Sequence, residues 1–367
     1  MITKTIQALL LAVFAFAAPS LASDVHVVDV AGSGDFTSLA AAIAAAADGD
    51  VLLVRNSDPG GITLSGKGLT IINEGSPLTT LPLIRCTNLP GSSEFHIVGF
   101  DFLQIQLVAC QGRILIEDCG DLNATWGEAS ASVSSCSSVT MVNTGMKGFD
   151  GWSITGGQDN YGADGGHALL VSNSKVNLYN CRGLGGGGDD GAWLPCGIGG
   201  DGGDGLRVTD SQARVRTFQC DFIGGYEGYG GCGDGWVGSD TNGPTGTIIP
   251  LTMAANQLAA TPIIREANTY MLTIHGTPGQ VPLLLTSTAL FQRLFVPHVG
   301  VLHLPWPFTL QYLPPIPSSG TLVVPVWIPP LPAAEQSRWR VMQVVLNAAN
   351  NRYATRPISL TVVDSTF

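Results

Sequence analysis

The stretch "LLVSNSKVNLYNC" (Leu169–Cys181) holds two short alternating runs, joined by a polar corner and closed by a cysteine. Alternation with a period of two sends Leu169 and Val171, then Val176 and Leu178, to one face of a strand. The phrase recurs as "LVACQGRILIEDC" (107–119), "VSSCSSVTMVNT" (133–144) and "LRVTDSQARVRTFQC" (206–220). A small residue marks each corner: Cys110, Cys136, Ser174 and Ser211. A second set closes each phrase: Cys119, Thr144, Cys181 and Cys220. Short strands with matched corners predict a solenoid in which each rung stacks on the last.

Upstream, "VHVVDVAGSGDFTSLAAAIAAAADGDVLLV" (25–54) reads as a strand, a glycine turn, a short helix carrying Phe36, Leu39 and Ile43, and a strand over Val51–Val54. A parallel β-helix shields its first apolar edge with such a cap helix. Residues 1–22 read as a secretory signal. Lys4 supplies the positive charge, Ala8–Ala18 is apolar, and Ser20-Leu21-Ala22 suits cleavage before Ser23. The expected location is therefore the cell exterior, the cell surface or the periplasm. Pro and polar residues break every later apolar run, so no membrane span is expected.

Composition shifts after Gly246. Fifteen of the 22 prolines and none of the cysteines lie in 247–367. Runs such as "YMLTIHG", "VPLLLTS", "FTLQYL", "GTLVVPVWI" and "ISLTVVD" predict a small β-sandwich over 261–367, joined by a linker at 247–260. The predicted class is all-β: a parallel β-helix over 23–246, followed by that sandwich.

Residues 23–246 carry 25 acids against 10 bases, a net of −15, while 247–367 carry six bases against three acids, a net of +3. This lacks the basic footprint that nucleic acid requires. It permits cations and neutral glycans.

All eight cysteines lie between 86 and 232, with no CxxC pair. Stacked rungs would bring Cys110, Cys119, Cys136, Cys181 and Cys220 into an inward ladder of small buried side chains. Cys181 and Cys220, on adjacent rungs, are alternatively a disulfide pair. Cys196 and Cys232 fall in loops of an exported chain and are the first disulfide candidates.

Thirty of the 47 glycines lie in 145–246, within inserts at 145–167, 182–205 and 221–246. Each insert follows the closing position of a rung, so stacked rungs would present them side by side. The patch would hold many Asp residues with the aromatics Trp152, Tyr161, Trp193, Tyr226 and Trp236. Aromatic faces beside carboxylates suit sugar rings, which stack and donate hydroxyl hydrogens. The same composition also serves as turns with aromatics holding loops down. Gly199–Arg207, "GGDGGDGLR", fits a calcium nonapeptide, with Asp201 and Asp204 as Ca2+ candidates. Calcium needs six to eight oxygens, and in the neighbouring insert His167 stands where Asp204 would be.

The opening "DVAGSGDFTSLAAAIAAAADGDVLLV" and the repeated rungs resemble the right-handed parallel β-helix proteins of the pectin-lyase-like superfamily, over roughly 24–246. The resemblance implies a right-handed coil and, in its enzyme families, polysaccharide cleavage. Their motifs are absent as sets. "CDFIGG" (Cys220–Gly225) echoes one esterase phrase, and Asp189-Asp190 and Gly166-His167 echo two polygalacturonase phrases in the wrong order. The catalytic candidates are Asp189, Asp190, Arg182 and His167. The phrases "MLTIHGTPGQVPLLLTS" and "GTLVVPVWIPP" resemble the sandwich appended to exported bacterial β-helix proteins. The expected function is non-enzymatic display of the loop face to a polysaccharide or envelope glycan. The alternative is a polysaccharide lyase or glycoside hydrolase.

Overall fold

The computed structural model describes residues 23–56, 60–75, 80–121, 130–151, 161–191, 196–251, 258–288, 294–296, 300–304, 308–333, 335–348 and 351–367. The chain is nearly all-β, and the expected signal segment 1–22 lies outside the described residues. None of the described helices is long and apolar enough to cross a membrane.

The quoted phrase folds as read. Leu169–Ser172 joins a seven-stranded parallel sheet, Lys175–Tyr179 a nine-stranded one, and Arg182–Leu184 a short third sheet. Successive phrases visit the same two long sheets in the same order, and their third strands fall in two short sheets, one holding Gly120–Asp121 and the other Gly145–Lys147, Arg182–Leu184 and Asp221–Ile223. Leu107, Val133, Val171 and Val208 stand in one register row, and Ile114, Val139, Val176 and Val215 in another. Every one of these is buried in a single apolar core. Burial of this kind stabilises by about 25 cal/mol per Å2 of apolar surface.

The corners explain why the phrase is polar between its strands. Asn88, Ala109, Ser135 and Asn173 adopt positive φ at one corner, and Asp118, Asn143, Asn180 and Gln219 at the next. Asn and Asp tolerate that conformation better than most residues. Asn180 Nδ2 donates to Asn143 Oδ1 at 2.9 Å, and Asn143 Nδ2 to Asp118 Oδ1 at 2.6 Å, so the second corner stacks through its side chains. One expected corner differs. Lys175 pairs with Arg214, which puts Ala213, not Ser211, opposite Ser174. Asp210 Oδ1 accepts from the amides of Gln212 and Ala213, and this local turn absorbs the extra residues.

The cysteine ladder is present and extends further back than expected. Cys86 stacks on Cys110, with the sulfurs 3.8 Å apart, and both are buried with Cys136. Cys181 and Cys220, alternatively read as a disulfide, are free thiols; the Cys181 amide donates to Cys220 Sγ at 3.4 Å. Cys196 and Cys232 are bonded, with Cα atoms 5.1 Å apart.

The helix Leu39–Ala45 begins at Ser38 and buries Leu39, Ala42 and Ile43 against the first strands. At the other end, Ile248–Pro250, within the expected linker, pairs with Val215–Thr217 as the last strand of the nine-stranded sheet. Beyond it, a three-stranded antiparallel sheet and a six-stranded, mostly antiparallel sheet share a second core that includes Leu272, Ile274, Val344 and Leu360. This C-terminal unit rests on the outer face of the nine-stranded sheet, where Leu115, Val142, Tyr179 and Phe218 meet Leu285, Val341 and Val345. The outer face of the seven-stranded sheet carries the half-buried and exposed residues Gln106, Ser132, Leu170, Arg207 and Asn242.

Candidate functional site

The three inserts leave the coil stack from paired strands, with Gly145, Arg182 and Asp221 in register. Each runs out and returns. Outward legs bond to one another: the Gly148 and Gly151 amides donate to Leu184 and Gly187, and those of Gly185, Gly188 and Gly191 to Ile223, Tyr226 and Tyr229. Return legs do the same: Gly162 and Gly165 donate to Ile198 and Asp201, and Gly199, Gly202 and Gly205 to Gly233, Trp236 and Ser239. A second set ties the two layers, through Gly186 to Gly166, Gly203 to Gly186, Gly225 to Gly203 and Gly238 to Gly225.

Donors recur every third residue, and these glycines have negative φ. That combination is polyproline-II-type backbone, with three residues per turn and its amides turned outward. Glycine serves here for closeness rather than for a left-handed backbone. A Cβ on Gly186, Gly203 or Gly225 would overlap the carbonyl of Phe149, Gly166 or Gly186 respectively. The sequence carried this signal as glycines three apart (185, 188, 191 and 199, 202, 205). Reading the inserts as loops passed over it.

Amides that point out of the two layers have no neighbouring carbonyl, and side chains of the preceding leg receive them. Asp164 Oδ1 accepts from the Asp201 amide at 2.9 Å, and Asp201 Oδ1 from Trp236 at 2.8 Å. His167 Nδ1 accepts from the Asp204 amide at 2.9 Å, and Asp204 Oδ1 from Ser239 at 2.8 Å. On the outward layer Asp150 receives the Gly187 amide and Asp190 that of Tyr229. His167 and Asp204 therefore hold equivalent places, which accounts for the interrupted calcium phrase. Among the described residues no group of three or more His, Cys, Asp or Glu is placed to hold a metal.

A groove of about 720 Å3 opens where the return layer meets the seven-stranded sheet. Gln106, Ser132, Leu170, Arg207 and Asn242, one register row of that sheet, form its floor. Asp164, His167, Asp201, Asp204 and Trp236 come from the return legs. Its volume falls in the range of small-ligand sites. Trp236 is 79% exposed, an indole face with no protein cover. Arg207 Nη1 lies 3.6 Å from Asp204 Oδ2 and 3.1 Å from His167 Nε2. Burial pushes the His167 imidazole below its usual range; Asp204 opposes that shift and Arg207 adds to it.

The sequence candidates are divided by this architecture. His167, Asp201, Asp204 and Trp236 line the groove. Asp189 and Asp190 lie on the outward layer, with the Asp189 carbonyl accepting from Gly200 between the layers. Arg182 pairs at 3.8 Å with Asp221, both exposed, away from the groove. Tyr226 is exposed on the outward layer, and Tyr161 bridges Ile198 farther along the return layer. Trp152 and Trp193 lie outside the described residues. The four catalytic candidates therefore do not share a site, because outward and return legs occupy different layers. Gln104, Gln106 and Asn242 were not singled out from the sequence. No known family model matches this chain, and no curated protein is significantly similar to it.

Proposed function

We propose that this is an exported, right-handed parallel β-helix protein of the pectin-lyase-like type, capped by its N-terminal helix and followed by a small β-sandwich, and that it binds a glycan without cleaving it. The groove beside Trp236 carries the reading. It joins an uncovered indole face to carboxylates that can accept from sugar hydroxyls and side-chain amides that can donate N–H to hydroxyl oxygens. The partner is a polysaccharide of the extracellular matrix or cell envelope, and the glycine lattice is the rigid frame that holds the groove. Binding to immobilised polysaccharides is the direct test. Trp236→Ala should abolish retention while leaving the unfolding temperature unchanged; retention that survives this substitution rejects the groove as the site.

A second reading is a lyase or hydrolase acting in the same groove. One observation favours it: His167 Nε2 and Arg207 Nη1 stand 3.1 Å apart in the groove, a pair of donors suited to stabilising a developing oxyanion. New reducing ends or unsaturated sugars, lost in His167→Ala, would establish this reading over the first.

A further inference from the structure

The hydrogen-bond roles of His167 define the kind of ligand the groove fits, on the premise that the groove is the glycan site. The Asp204 amide donates to His167 Nδ1 at 2.9 Å. A backbone amide cannot accept in return, so Nδ1 is the acceptor and the ring hydrogen sits on Nε2. Arg207 Nη1, 3.1 Å from Nε2, has only hydrogens to offer. Two donors therefore meet at the groove, one on a ring 24% exposed and one on a side chain 45% exposed; Asp204 Oδ2, 3.6 Å from Arg207 Nη1 and 3.7 Å from His167 Nδ1, stands beyond hydrogen-bond distance of both. An oxygen bound against both would relieve that contact.

The surroundings decide which oxygen. Three carboxylates line the groove (Asp164, Asp201 and Asp204) against the one guanidinium of Arg207, so its net charge is −2. Each carboxylate gives Oδ1 to a backbone amide. Asp204 Oδ2 accepts from Asn242 Nδ2 at 3.1 Å. A ligand carboxylate or sulfate would satisfy the two donors but meet this negative field. A ligand ammonium would suit the field but press a third donor on His167 and Arg207. A hydroxyl accepts from one side and donates to the other.

We infer that the groove takes a neutral, hydroxyl-rich glycan, with one sugar hydroxyl accepting from His167 Nε2 and Arg207 Nη1 and donating to a neighbouring Asp carboxylate, while an adjacent ring stacks on Trp236. The ligand class is a neutral hexose polymer, in contrast to uronate or deacetylated amino-sugar chains.

The experiment is calorimetric titration of the full chain with three oligosaccharides of matched length: a neutral glucan, an oligogalacturonate and a chitosan oligomer. The neutral oligomer should bind at least tenfold more tightly than either charged one, and its affinity should change little with salt. Equal or tighter binding of either charged oligomer overturns the inference, and this ranking needs no variant to fold. Arg207→Met and His167→Ala should each weaken the neutral oligomer about three- to tenfold, the scale of one hydrogen bond. If Trp236→Ala abolishes binding while both of these variants bind as wild type, the donor pair is not used: the inference fails and the glycan reading stands. If none of the three oligosaccharides binds, the glycan reading fails and the inference with it.

Discussion

Ser359 points its amide and hydroxyl at the carboxylate of Glu117, 242 residues earlier in the chain, with the amide 3.3 Å from both carboxylate oxygens. His96 Nε2 lies 2.9 Å from the same carboxylate and 2.8 Å from the Ser359 hydroxyl. All three residues are at least 95% buried. The cluster joins the nine-stranded sheet to the last strand of the C-terminal unit, in a contact that also holds apolar side chains and the buried Tyr179–His303 hydrogen bond. Removing Glu117 would take the acceptor from the Ser359 amide and leave the Ser359 hydroxyl and the His96 ring only each other. Glu117→Ala should therefore cost about 3 kcal/mol, and Glu117→Gln, which keeps an acceptor, clearly less. Urea unfolding followed by tryptophan fluorescence measures both. Equal stability of Glu117→Ala and wild type would show that this contact does not hold the two units together.

The glycine lattice makes a sharper contrast between neighbours. A Cβ at Gly186 would overlap the Phe149 carbonyl, whereas at Gly187 its nearest neighbour would be the Tyr226 carbonyl, 3.8 Å away. Gly186→Ala must push adjoining backbones apart and should cost about 3 kcal/mol or more. Gly187→Ala should be neutral, or stabilising by about 0.5 kcal/mol through a less flexible unfolded chain. Thermal unfolding of the two variants side by side checks this. If both are tolerated, the legs do not pack at the separations described.

Alternation and matched corners in 107–220 made the parallel coils legible, because a stacked rung reuses the same positions for the same physical task. Ser211 misled because Val171 and Val208 keep a spacing of 37 while Lys175 and Arg214 are 39 apart; a turn inserted between strands leaves no periodic trace. The clustering of the inserts was also legible, from the closing positions Thr144, Cys181 and Cys220. Their interior was not. Glycine signals freedom in most loops, and here it signals backbones in contact. The division of Asp189, Asp190 and Arg182 from His167 follows from which leg runs outward and which returns. Composition carries no information about that direction.

His167 sets a dependence on acidity. Burial holds its folded value below the usual 6.5, and Asp204 only partly offsets this. Between the two values the unfolded chain binds more protons than the folded one. The stabilising contribution is therefore complete above about pH 6.5 and is lost as the pH falls through the window below it. Protonation would also put a hydrogen on Nδ1 against the Asp204 amide. Asn at this position keeps an acceptor and does not titrate. Urea midpoints between pH 7 and pH 5 should fall less steeply for His167→Asn than for wild type; parallel slopes would mean that the ring is not held neutral by the fold.

The cysteines should divide into two chemical classes. Cys196 and Cys232 close a loop with a sequence separation of 36, and for that length the chain-entropy argument gives about 4 kcal/mol of stabilisation. The ladder thiols are shielded for a different reason. Burial pushes Cys119 up to about 12 and Cys181 well above its usual range, so neither forms the thiolate that reacts. Hydrogen bonds from Cys136 and Cys86 draw Cys110 down, and one from Cys181 draws Cys220 down, so for these two it is burial that keeps a reagent out. Under native, non-reducing conditions a thiol reagent should label none of the five fully buried cysteines, and only slowly the half-buried Cys220. After mild reduction two thiols should react quickly, and mass mapping should assign them to Cys196 and Cys232. The same reduction should lower the unfolding temperature. Fast native labelling at Cys86, Cys110 or Cys136 would mean that the coil interior opens, which the continuous apolar core around those sulfurs does not allow.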